Sequence, residues 1–181
     1  MGIQYIIAQT FGIIGLLLFA VSYQAKSNKN LFVYQAISGL SFALNFFLIG
    51  DVSAALFNTV NLIRGMIMSK SKKKPWEVIS VIVLYTVCFV ISMFIISGNL
   101  LNIFLSSVTF IGLVVMTYVM WRANPVHIRY TQLFLVSPAW LTNNIFHFTL
   151  GGILCEIFGI TSVIISFVRY GKGGLKENNM R

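Results

Sequence analysis

The placement of the basic residues constrains this chain most, because all thirteen lysines and arginines lie in, or border, every second gap between its hydrophobic spans. The first gap holds Lys26 and Lys29, and the fifth holds Arg122 and Arg129. The remaining basic residues end or follow the third and seventh spans: Arg64, Lys70, Lys72, Lys73, Lys74, Arg169, Lys172, Lys176 and Arg181. Cytoplasmic loops of membrane proteins are enriched in Lys and Arg. The alternation therefore predicts seven crossings, with the N-terminus outside and the C-terminus inside.

The composition favours the same class of protein. The chain has 181 residues, of which 57% are hydrophobic and only 9% are charged, whereas soluble domains carry about 25% charged residues. A net charge of +9 often indicates a nucleic-acid partner. Here the charges follow the short loops on one side, so we expect contacts with lipid and no nucleic acid. The sequence predicts an all-α integral membrane protein.

Seven hydrophobic stretches are long enough to cross a bilayer core, which needs roughly 20 helical residues. The predicted spans are 3–24, 31–50, 52–69, 77–97, 100–121, 130–150 and 153–170. Gly50-Asp51, Ser97-Gly98-Asn99 and Gly151-Gly152 are the predicted outer turns. We therefore divide the chain into a first three-helix repeat (1–70), a linker helix (75–98), a second three-helix repeat (99–171) and a polar cytoplasmic tail (172–181).

An internal repeat supports this division. Three sets of matches occur in the same order: Ile14-Gly15-Leu16 with Ile111-Gly112-Leu113, Phe42 and Asn45 with Trp140 and Asn143, and Asp51, Asn61 and Arg64 with Glu156, Ser166 and Arg169. The alternative is chance similarity among apolar helices. Because an odd number of spans inverts the unit that follows, the fourth span restores the orientation of the second triplet. The prediction is a 3+1+3 bundle of two parallel repeats, which is a known transporter plan.

The chain resembles a known family through a set of residues distributed over roughly 5–170. They are Ala8-Gln9, Gly12, Phe46-Phe47-Leu48, Gly50, Asn61-Leu62-Ile63-Arg64, Trp140, Asn144, Gly151-Gly152 and Glu156. This set is similar to the YgjV family of bacterial inner-membrane proteins, and the 3+1+3 plan resembles the SWEET transporters and the wider PQ-loop superfamily. The resemblance implies a multi-pass protein of the bacterial inner (cytoplasmic) membrane with a SWEET-like bundle.

The chain departs from the PQ-loop pattern at its two signature positions, which read Tyr23-Gln24 and Trp121-Arg122. A proline at those positions would remove a backbone hydrogen bond and provide a hinge. Its absence argues against a hinge of that kind. Gly39 and Pro138, in the second and sixth spans, are the remaining candidates for helix deformation.

Polar side chains inside the spans are the candidate binding groups, because a polar group in hydrocarbon is costly without a partner. The predicted lining of the solute pathway is Asn45, Asn58, Asn61, Trp140, Asn143, Asn144 and Ser162. Amides both donate and accept hydrogen bonds, which suits a small neutral polar solute. The alternative role is contact between helices, since Asn and Ser side chains often join packed helices. For Trp140 the alternative is filling the bundle core.

The ionisable residues inside the spans suggest further roles. His147 and Glu156 lie on either side of the predicted Gly151-Gly152 turn, so they are candidates for a gate or a proton-coupling site, the alternative being two solvated groups at the headgroups. Asp51 is expected to be solvated in its outer turn. Arg64 and Arg169 end their helices on the cytoplasmic side, where a cation is favourable, and are expected to be anchors. The alternative for both is an inner gate formed against a helix-end carbonyl.

Signals for catalysis or metal binding are weak. The sequence contains no HExxH, GxSxG, P-loop or CxxC motif, and its two histidines and two cysteines form no metal signature. We therefore expect no enzyme, no metal and no cofactor. The leading hypothesis is a small-solute transporter with its pathway between the two repeats, complete within a monomer although homo-oligomers stay open. The alternative is a non-transporting scaffold, sensor or assembly partner.

Overall fold

The computed structural model describes residues 2–22, 28–68, 70, 74–96, 99–122 and 125–177, which form helices joined by short turns. The helices are α1 (Ile3–Ser22), α2 (Asn28–Ile49), α3 (Val52–Met68), α4 (Pro75–Ile95), α5 (Leu100–Trp121), α6 (Pro125–Thr131), α7 (Ser137–Phe146) and α8 (Leu150–Glu177). A π-helical segment, Gln132–Val136, joins α6 directly to α7. We call these three pieces, residues 125–146, the sixth span. The described chain thus forms seven helical rods, the number that the sequence predicted.

Several sequence features fall outside the described residues. They are the signature position Tyr23-Gln24, the Ser97-Gly98 part of the predicted second outer turn, the basic residues Lys26, Lys72 and Lys73, and the end of the predicted tail from residue 178. The first part of that tail continues α8, which extends to Glu177.

The bounds of α1 to α5 agree with the predicted spans to within a few residues, but those of the sixth span do not. It runs from 125 to 146 rather than from 130 to 150, and the turn that follows lies at 147–149 instead of Gly151-Gly152. Pro125 begins the helix early because its ring fits the first helical turn. The two glycines belong to α8, where they allow close packing rather than a turn.

Four of the described helices are long and apolar enough to cross a membrane, namely α1, α4, α5 and the Leu150–Arg169 part of α8. Val33–Ile49 and Val52–Met68 are shorter apolar helices. Large apolar side chains cover the outside of the bundle, with Phe94, Leu100 and Val168 each at least 80% exposed. A surface of this kind is suited to lipid rather than to water.

Six rods form a closed ring around the centre of the bundle. In order around the ring, α1 packs on α2, α2 on α3, α3 on α5, α5 on the sixth span, the sixth span on α8, and α8 back on α1. The remaining helix, α4, packs on α3 and α5 from outside. We call α1–α3 the first triplet, and α5, the sixth span and α8 the second triplet. The two triplets meet along two seams, α3 with α5 and α8 with α1.

The two ends of the ring differ in character. Gly50, Asp51 and residues 147–149 reverse the chain at one end, which we call the turn end. Lys70, Lys74, Arg122 and Arg129 lie at the other, which we call the basic end. There, Lys70 forms an ion pair with Glu77 at 2.5 Å, and the Glu77 carboxylate also accepts from the Lys74 backbone N–H at 2.9 Å. This cap begins α4 and fixes the connection from α3.

The two turns at the turn end repeat the same backbone hydrogen bonds. Asp51 N–H donates to the Phe46 carbonyl at 3.0 Å, and Thr149 N–H donates to the Asn144 carbonyl at 3.0 Å. The next helix starts alike in both, with Ala55 N–H bonded to Asp51 O and Ile153 N–H bonded to Thr149 O. The structural counterpart of Asp51 is therefore Thr149.

This register changes the expected pairing between the third and seventh rods. Continuing it along both helices pairs Asn58 with Glu156 and Arg64 with Ser162. The predicted pairing of Asp51 with Glu156 and of Arg64 with Arg169 differs from this register by nearly two helical turns along the seventh rod. Because this is close to a whole number of turns, both pairings involve the same face of the helix.

Glycines hold the α1–α8 seam together. A Cβ atom added to Gly151 would overlap the backbone of Gly12, so the two helices cross in direct backbone contact. The adjacent Gly152 lies against the Asn144 side chain, which a Cβ would also overlap. Such close approach is typical of helix contacts within membranes. These contacts explain why the Gly151-Gly152 pair is helical.

The sixth span is deformed next to Pro138, one of the two positions expected to deform a helix. The Ser137 backbone N–H donates to the carbonyl of Gln132, five residues earlier, which is the π-helical pattern. Pro138 has no N–H, so the α-helical bonding of the preceding turn is already interrupted at this point. At the other expected position, Gly39, α2 continues as a regular helix.

Candidate functional site

A central cavity of about 660 Å³ lies inside the ring. All six rods of the ring contribute to its wall, and none of the described residues of α4 does. Among the predicted site residues, those in the wall are Asn58, Asn61, Arg64, Trp140, Asn144, Glu156 and Ser162. A cavity of this size, with a few polar groups on a largely apolar wall, is typical of small-molecule sites.

Three amides converge on the cavity from the two triplets. The Asn58 side chain is buried and its Nδ2 donates to the Ala54 carbonyl at 2.9 Å, one turn earlier in α3. Asn61 Oδ1 accepts from the Tyr85 hydroxyl of α4 at 2.5 Å. On the opposite side, Asn144 Oδ1 accepts from the Thr149 hydroxyl. Each amide is held by one protein hydrogen bond and retains further donor or acceptor capacity.

Trp140 forms the apolar part of the wall. Its side chain is buried and its ring packs against Phe46 of α2, with ring centroids 5.7 Å apart. This contact joins α7 to α2, so Trp140 fills the core between the triplets while one surface borders the cavity. The two roles considered for this residue are therefore compatible.

Glu156 faces the cavity from α8 and is supported by α7. The Ser137 hydroxyl lies within hydrogen-bonding reach of its carboxyl, and Gln132 Nε2 donates to Ser137 Oγ at 2.8 Å. Ser137 is completely buried, at the end of the π-helical segment. The deformation of the sixth span thus places a polar support beside the one described carboxyl group in the cavity wall.

Arg64 lies in the cavity wall, whereas the sequence predicted an anchor directed to the cytoplasmic surface. Its guanidinium carbon is 5.9 Å from the centre of the Tyr85 ring. Its Nη1 atom is buried and forms no hydrogen bond with the described part of the chain. The side chain turns inward because the ring of Tyr85, itself fully buried, provides a cation–π contact there. Arg169, the other predicted anchor, is exposed on α8.

Asp51 joins the triplets at the turn end. Its Oδ2 accepts from Asn143 Nδ2 at 2.7 Å, and its Oδ1 accepts from the Ala54 N–H at 3.1 Å, capping α3. Only 6% of the residue is exposed, so the expectation of a solvated aspartate is wrong. The carboxylate is buried because α7 closes over the turn and supplies a donor.

His147 belongs to this group rather than to Glu156. Its Nδ1 is 3.0 Å from the Asn143 carbonyl oxygen and 3.5 Å from Asp51 Oδ2. The acidic neighbour of His147 is thus Asp51, and Glu156 faces the cavity with Ser137. The predicted juxtaposition of His147 with Glu156 is not what the structure describes, because His147 lies in the turn beside Asp51 whereas Glu156 lies within α8 beside Ser137.

Two further contacts across the seams lie at the same end. Gln9 Nε2 donates to the Phe148 carbonyl at 2.7 Å, while its Oε1 accepts from the Leu150 N–H at 3.0 Å. On the opposite seam, Ser106 Oγ donates to Ser53 Oγ at 2.8 Å. We call these contacts, together with the Asp51–Asn143 bond, the turn-end bridges. They close the turn end of the ring between the two triplets.

Two predicted lining residues lie outside the cavity wall. Asn143 is part of the turn-end bridges, and Asn45 joins α2 to α1 by donating to the Ala8 carbonyl at 2.6 Å. Asn45 fits there because Gly12 has no side chain; an added Cβ would lie 3.1 Å from its amide nitrogen. Both asparagines therefore connect helices, which is the alternative role considered for the amides in general.

Sequence reasoning overlooked several residues of the site. Ser137, Gln132, Tyr85 and Gln9 were not among the candidates, although Gln9 belongs to the residues that carry the family resemblance. The signal for the others was their position, since each is a polar group inside a hydrophobic span.

The described residues contain no group of three or more His, Cys, Asp or Glu side chains that could hold a metal ion. Cys155 is buried in the cavity wall and Cys88 is partly buried on α4, both as free thiols.

The chain was compared with known proteins and protein families. A family model described as Imp-YgjV, bacterial inner membrane protein, matches residues 6–173. No curated protein and no solved structure matches the chain.

Proposed function

Because the chain belongs to the Imp-YgjV family of bacterial inner membrane proteins, we propose that it transports a small polar solute through the central cavity. The observation that carries this proposal is the cavity itself, about 660 Å³ in volume, with amide and charged side chains in its wall. Asn58 lies six residues into α3, about 9 Å from the turn end at 1.5 Å per residue. Polar groups at that depth in a membrane bundle usually mark a pathway or a binding site.

The proposed architecture is the 3+1+3 arrangement, with two parallel triplets and α4 as the connecting helix. The closed ring, the position of α4 outside it and the matching hydrogen bonds of the two turns support this arrangement. The resemblance to SWEET and PQ-loop transporters is part of the proposal, as are the repeats at 1–70 and 99–171. A cavity between such repeats is where transporters of this plan bind their solutes.

The proposed orientation places the turn end outside and the basic end in the cytoplasm, so the protein is multi-pass with N outside and C inside. It rests on the excess of Lys and Arg at the basic end. In this orientation the turn-end bridges close the outer side, and the cavity extends past Arg64 to Arg129 near the cytoplasm. We infer that the structure corresponds to an inward-facing state of an alternating-access cycle.

The proposed outward-facing state requires separation of the triplets at the turn end. Gln9, Asp51 and Ser53 would then lose their bonds to the second triplet. His147 borders Asp51 and is the candidate gate residue, whereas Glu156 is a candidate binding group. The proposal includes contacts with membrane lipid and involves neither enzymatic chemistry nor a cofactor. One chain contains a complete pathway, whether or not it forms homo-oligomers.

The test begins with the purified full chain in detergent and a panel of sugars, polyols, amino acids and small organic acids. A solute present at a hundred times its Kd should stabilise the folded protein by about 2.7 kcal/mol, which a thermal-unfolding screen detects. Solutes that stabilise the protein are then offered in radiolabelled form to proteoliposomes. We expect uptake that saturates with concentration and is absent from protein-free liposomes.

Asn58→Leu and Thr59→Val form a matched pair for this test. The first removes an amide from the cavity wall, whereas the second removes a neighbouring exposed hydroxyl that bonds only to its own helix. Uptake should fall about tenfold in Asn58→Leu and stay unchanged in Thr59→Val. Equal uptake in the two variants, or a panel without any stabilising solute, would contradict the proposal and favour the non-transporting alternative.

A further inference from the structure

Three of the four carboxylates in this chain lie on residues whose side chains the structure describes, and two of these are bonded away from the cavity. Asp51 is held by Asn143 and the start of α3 at the turn end. Glu77 is held by Lys70 and Lys74 at the basic end. Neither of these two residues is part of the cavity wall. The wall therefore contains one described carboxyl group, that of Glu156.

Arg64 lies in the same wall without a carboxylate partner among the described residues. It forms no ion pair there, and its Nη1 atom is buried without a hydrogen bond. Its contact with Tyr85 engages the face of an aromatic ring and leaves the N–H donors in the plane of the guanidinium. A guanidinium of this kind is suited to a carboxylate, which accepts two parallel hydrogen bonds from it.

Glu156 is in the complementary situation. Its neighbour is the Ser137 hydroxyl, and no basic side chain of the described residues forms an ion pair with it. A carboxyl group in a cavity wall without a cation can accept hydrogen bonds from an ammonium group of a solute. The wall thus offers Arg64 to an anion and Glu156 to a cation, and these two residues form no ion pair with each other. Arg129, a second basic residue of the wall, lies at the basic end.

The two sites are separated along the axis of the bundle. Glu156 corresponds to Asn58 in the repeat, and Arg64 follows Asn58 by six residues on α3. At 1.5 Å per residue, the two backbone positions differ by about 9 Å in depth. Arg64 lies toward the basic end and Glu156 toward the turn end. A solute that contacts both groups must therefore span a difference in depth of this order.

We propose that the solute is a small zwitterion, whose carboxylate binds Arg64 and whose ammonium group binds Glu156. This inference rests on the proposed function and adds the chemical class of the solute. It differs from the neutral polar solute that the amides alone suggest, because the wall also contains Glu156 and two arginines, Arg64 and Arg129. Asn58 and Asn144 then contact the uncharged middle of the molecule.

The test measures binding of defined probes to the full chain in lipid nanodiscs by calorimetry. The zwitterions are the ω-amino acids from glycine to 6-aminohexanoate, which vary the distance between the charges. Hexanoate, hexylamine and 1,6-hexanediol are the matched compounds that lack one or both charges. We expect at least one zwitterion to bind about ten- to one-hundredfold more tightly than these compounds. Each charged end of the zwitterion forms a charge-assisted hydrogen bond, and each matched compound lacks at least one of these bonds. Equal binding of hexanediol, or no charge preference at all, overturns the inference.

Charge-removing variants assign each end of the probe. In Glu156→Gln the zwitterion and hexanoate should bind alike, and in Arg64→Gln the zwitterion and hexylamine should bind alike. Arg169→Gln removes an exposed arginine and should leave the preference unchanged. If a variant fails to fold, the comparison of probes on the unaltered chain decides the matter alone.

Uptake of the tightest probe into proteoliposomes separates this inference from the proposed function. Binding of the zwitterion without uptake supports the site and contradicts transport. Saturable uptake of a neutral solute, with no preference for zwitterions, supports transport and contradicts the site.

Discussion

In the first triplet the chain reverses at Gly50, which has a φ of +93°, whereas the second triplet makes the same reversal at Phe148, with a φ of +50°. Three backbone hydrogen bonds around the first turn have a counterpart in the second. The backbone plan is therefore the same, although only one of the two turns has the residue that this conformation favours. The two triplets therefore share the backbone bonding of their turns and differ in side-chain chemistry.

The side chains that differ are those that form the site. In equivalent positions the first triplet has Asp51, Asn58 and Arg64 where the second has Thr149, Glu156 and Ser162. Asp51 joins the triplets, while Thr149 bonds within its own turn. The first triplet also contributes Arg64 to the cavity wall, whereas the second contributes Glu156 and Arg129. An asymmetric pair of walls of this kind can orient an asymmetric solute, which two identical walls cannot do.

The largest expected effect concerns the α1–α8 seam, where Gly12 and Gly151 bring the two helix backbones into direct contact. In Gly151→Ala the new Cβ overlaps the Gly12 backbone, and no rotamer change can relieve it. We expect a loss of about 3 kcal/mol, the upper part of the range for overpacked sites. The unfolding midpoint in mild detergent should fall by about 5–10 °C.

Gly159→Ala is the control for this variant, because it makes the same change in the same helix where a Cβ meets nothing within 4 Å. Its midpoint should stay constant or rise, since alanine favours a helix over glycine by up to about 1 kcal/mol. Equal losses in the two variants would mean that the seam is looser than the structure describes, and that the two seams of the ring are alike.

The second prediction uses the difference between Asp51 and Thr149. Asp51→Ala removes a bond between the triplets, whereas Thr149→Ala removes one within the second triplet. Loss of a hydrogen bond to a charged group, about 2 kcal/mol, should shift the population toward a state that is open at the turn end by a factor of about 30.

The readout is labelling of Ser162→Cys, in the cavity wall, by a membrane-impermeant thiol reagent in a background without Cys88 and Cys155. We expect slow labelling from outside in the parent, at least tenfold faster labelling with Asp51→Ala, and little change with Thr149→Ala. If both variants open the turn end equally, the turn-end bridges are not what closes it.

Sequence reasoning predicted the rods well, because hydropathy, span length and the positions of Lys and Arg are properties of local segments. It failed where the role of a residue depends on a contact with another residue that is far away in the sequence. Gly151 was expected in a turn because glycine favours turns, but its role is to admit Gly12 from the first rod. Asp51 was expected in solvent because it lies next to a turn glycine, but α7 covers it with Asn143.

The candidate site was predicted in part for a related reason. A polar residue in a span indicates a partner, but not on which side of the helix the partner lies. Asn58 and Asn144 face the cavity, whereas Asn45 faces α1. For Arg64, the position near a helix end suggested an anchor, and the aromatic ring that it contacts inside the bundle belongs to α4, a helix outside the ring.

The smallest expected effect tests whether the turn of the second triplet is strained where the first is not. Phe148→Gly removes a bulky residue from a positive φ, which costs a non-glycine residue about 1 kcal/mol or more. Phe146→Gly removes a similarly exposed phenylalanine from the end of α7, where glycine weakens the helix by about 1 kcal/mol. Both side chains are more than half exposed, so the difference between the unfolding midpoints of the two variants mainly reports on the backbone. We expect Phe148→Gly to be the more stable by about 1–2 kcal/mol, or a few degrees. Equal midpoints would indicate that the hydrogen bonds from Tyr5 and Gln9 to the Phe148 carbonyl hold the turn without strain. The two turns would then be equivalent in energy as well as in geometry.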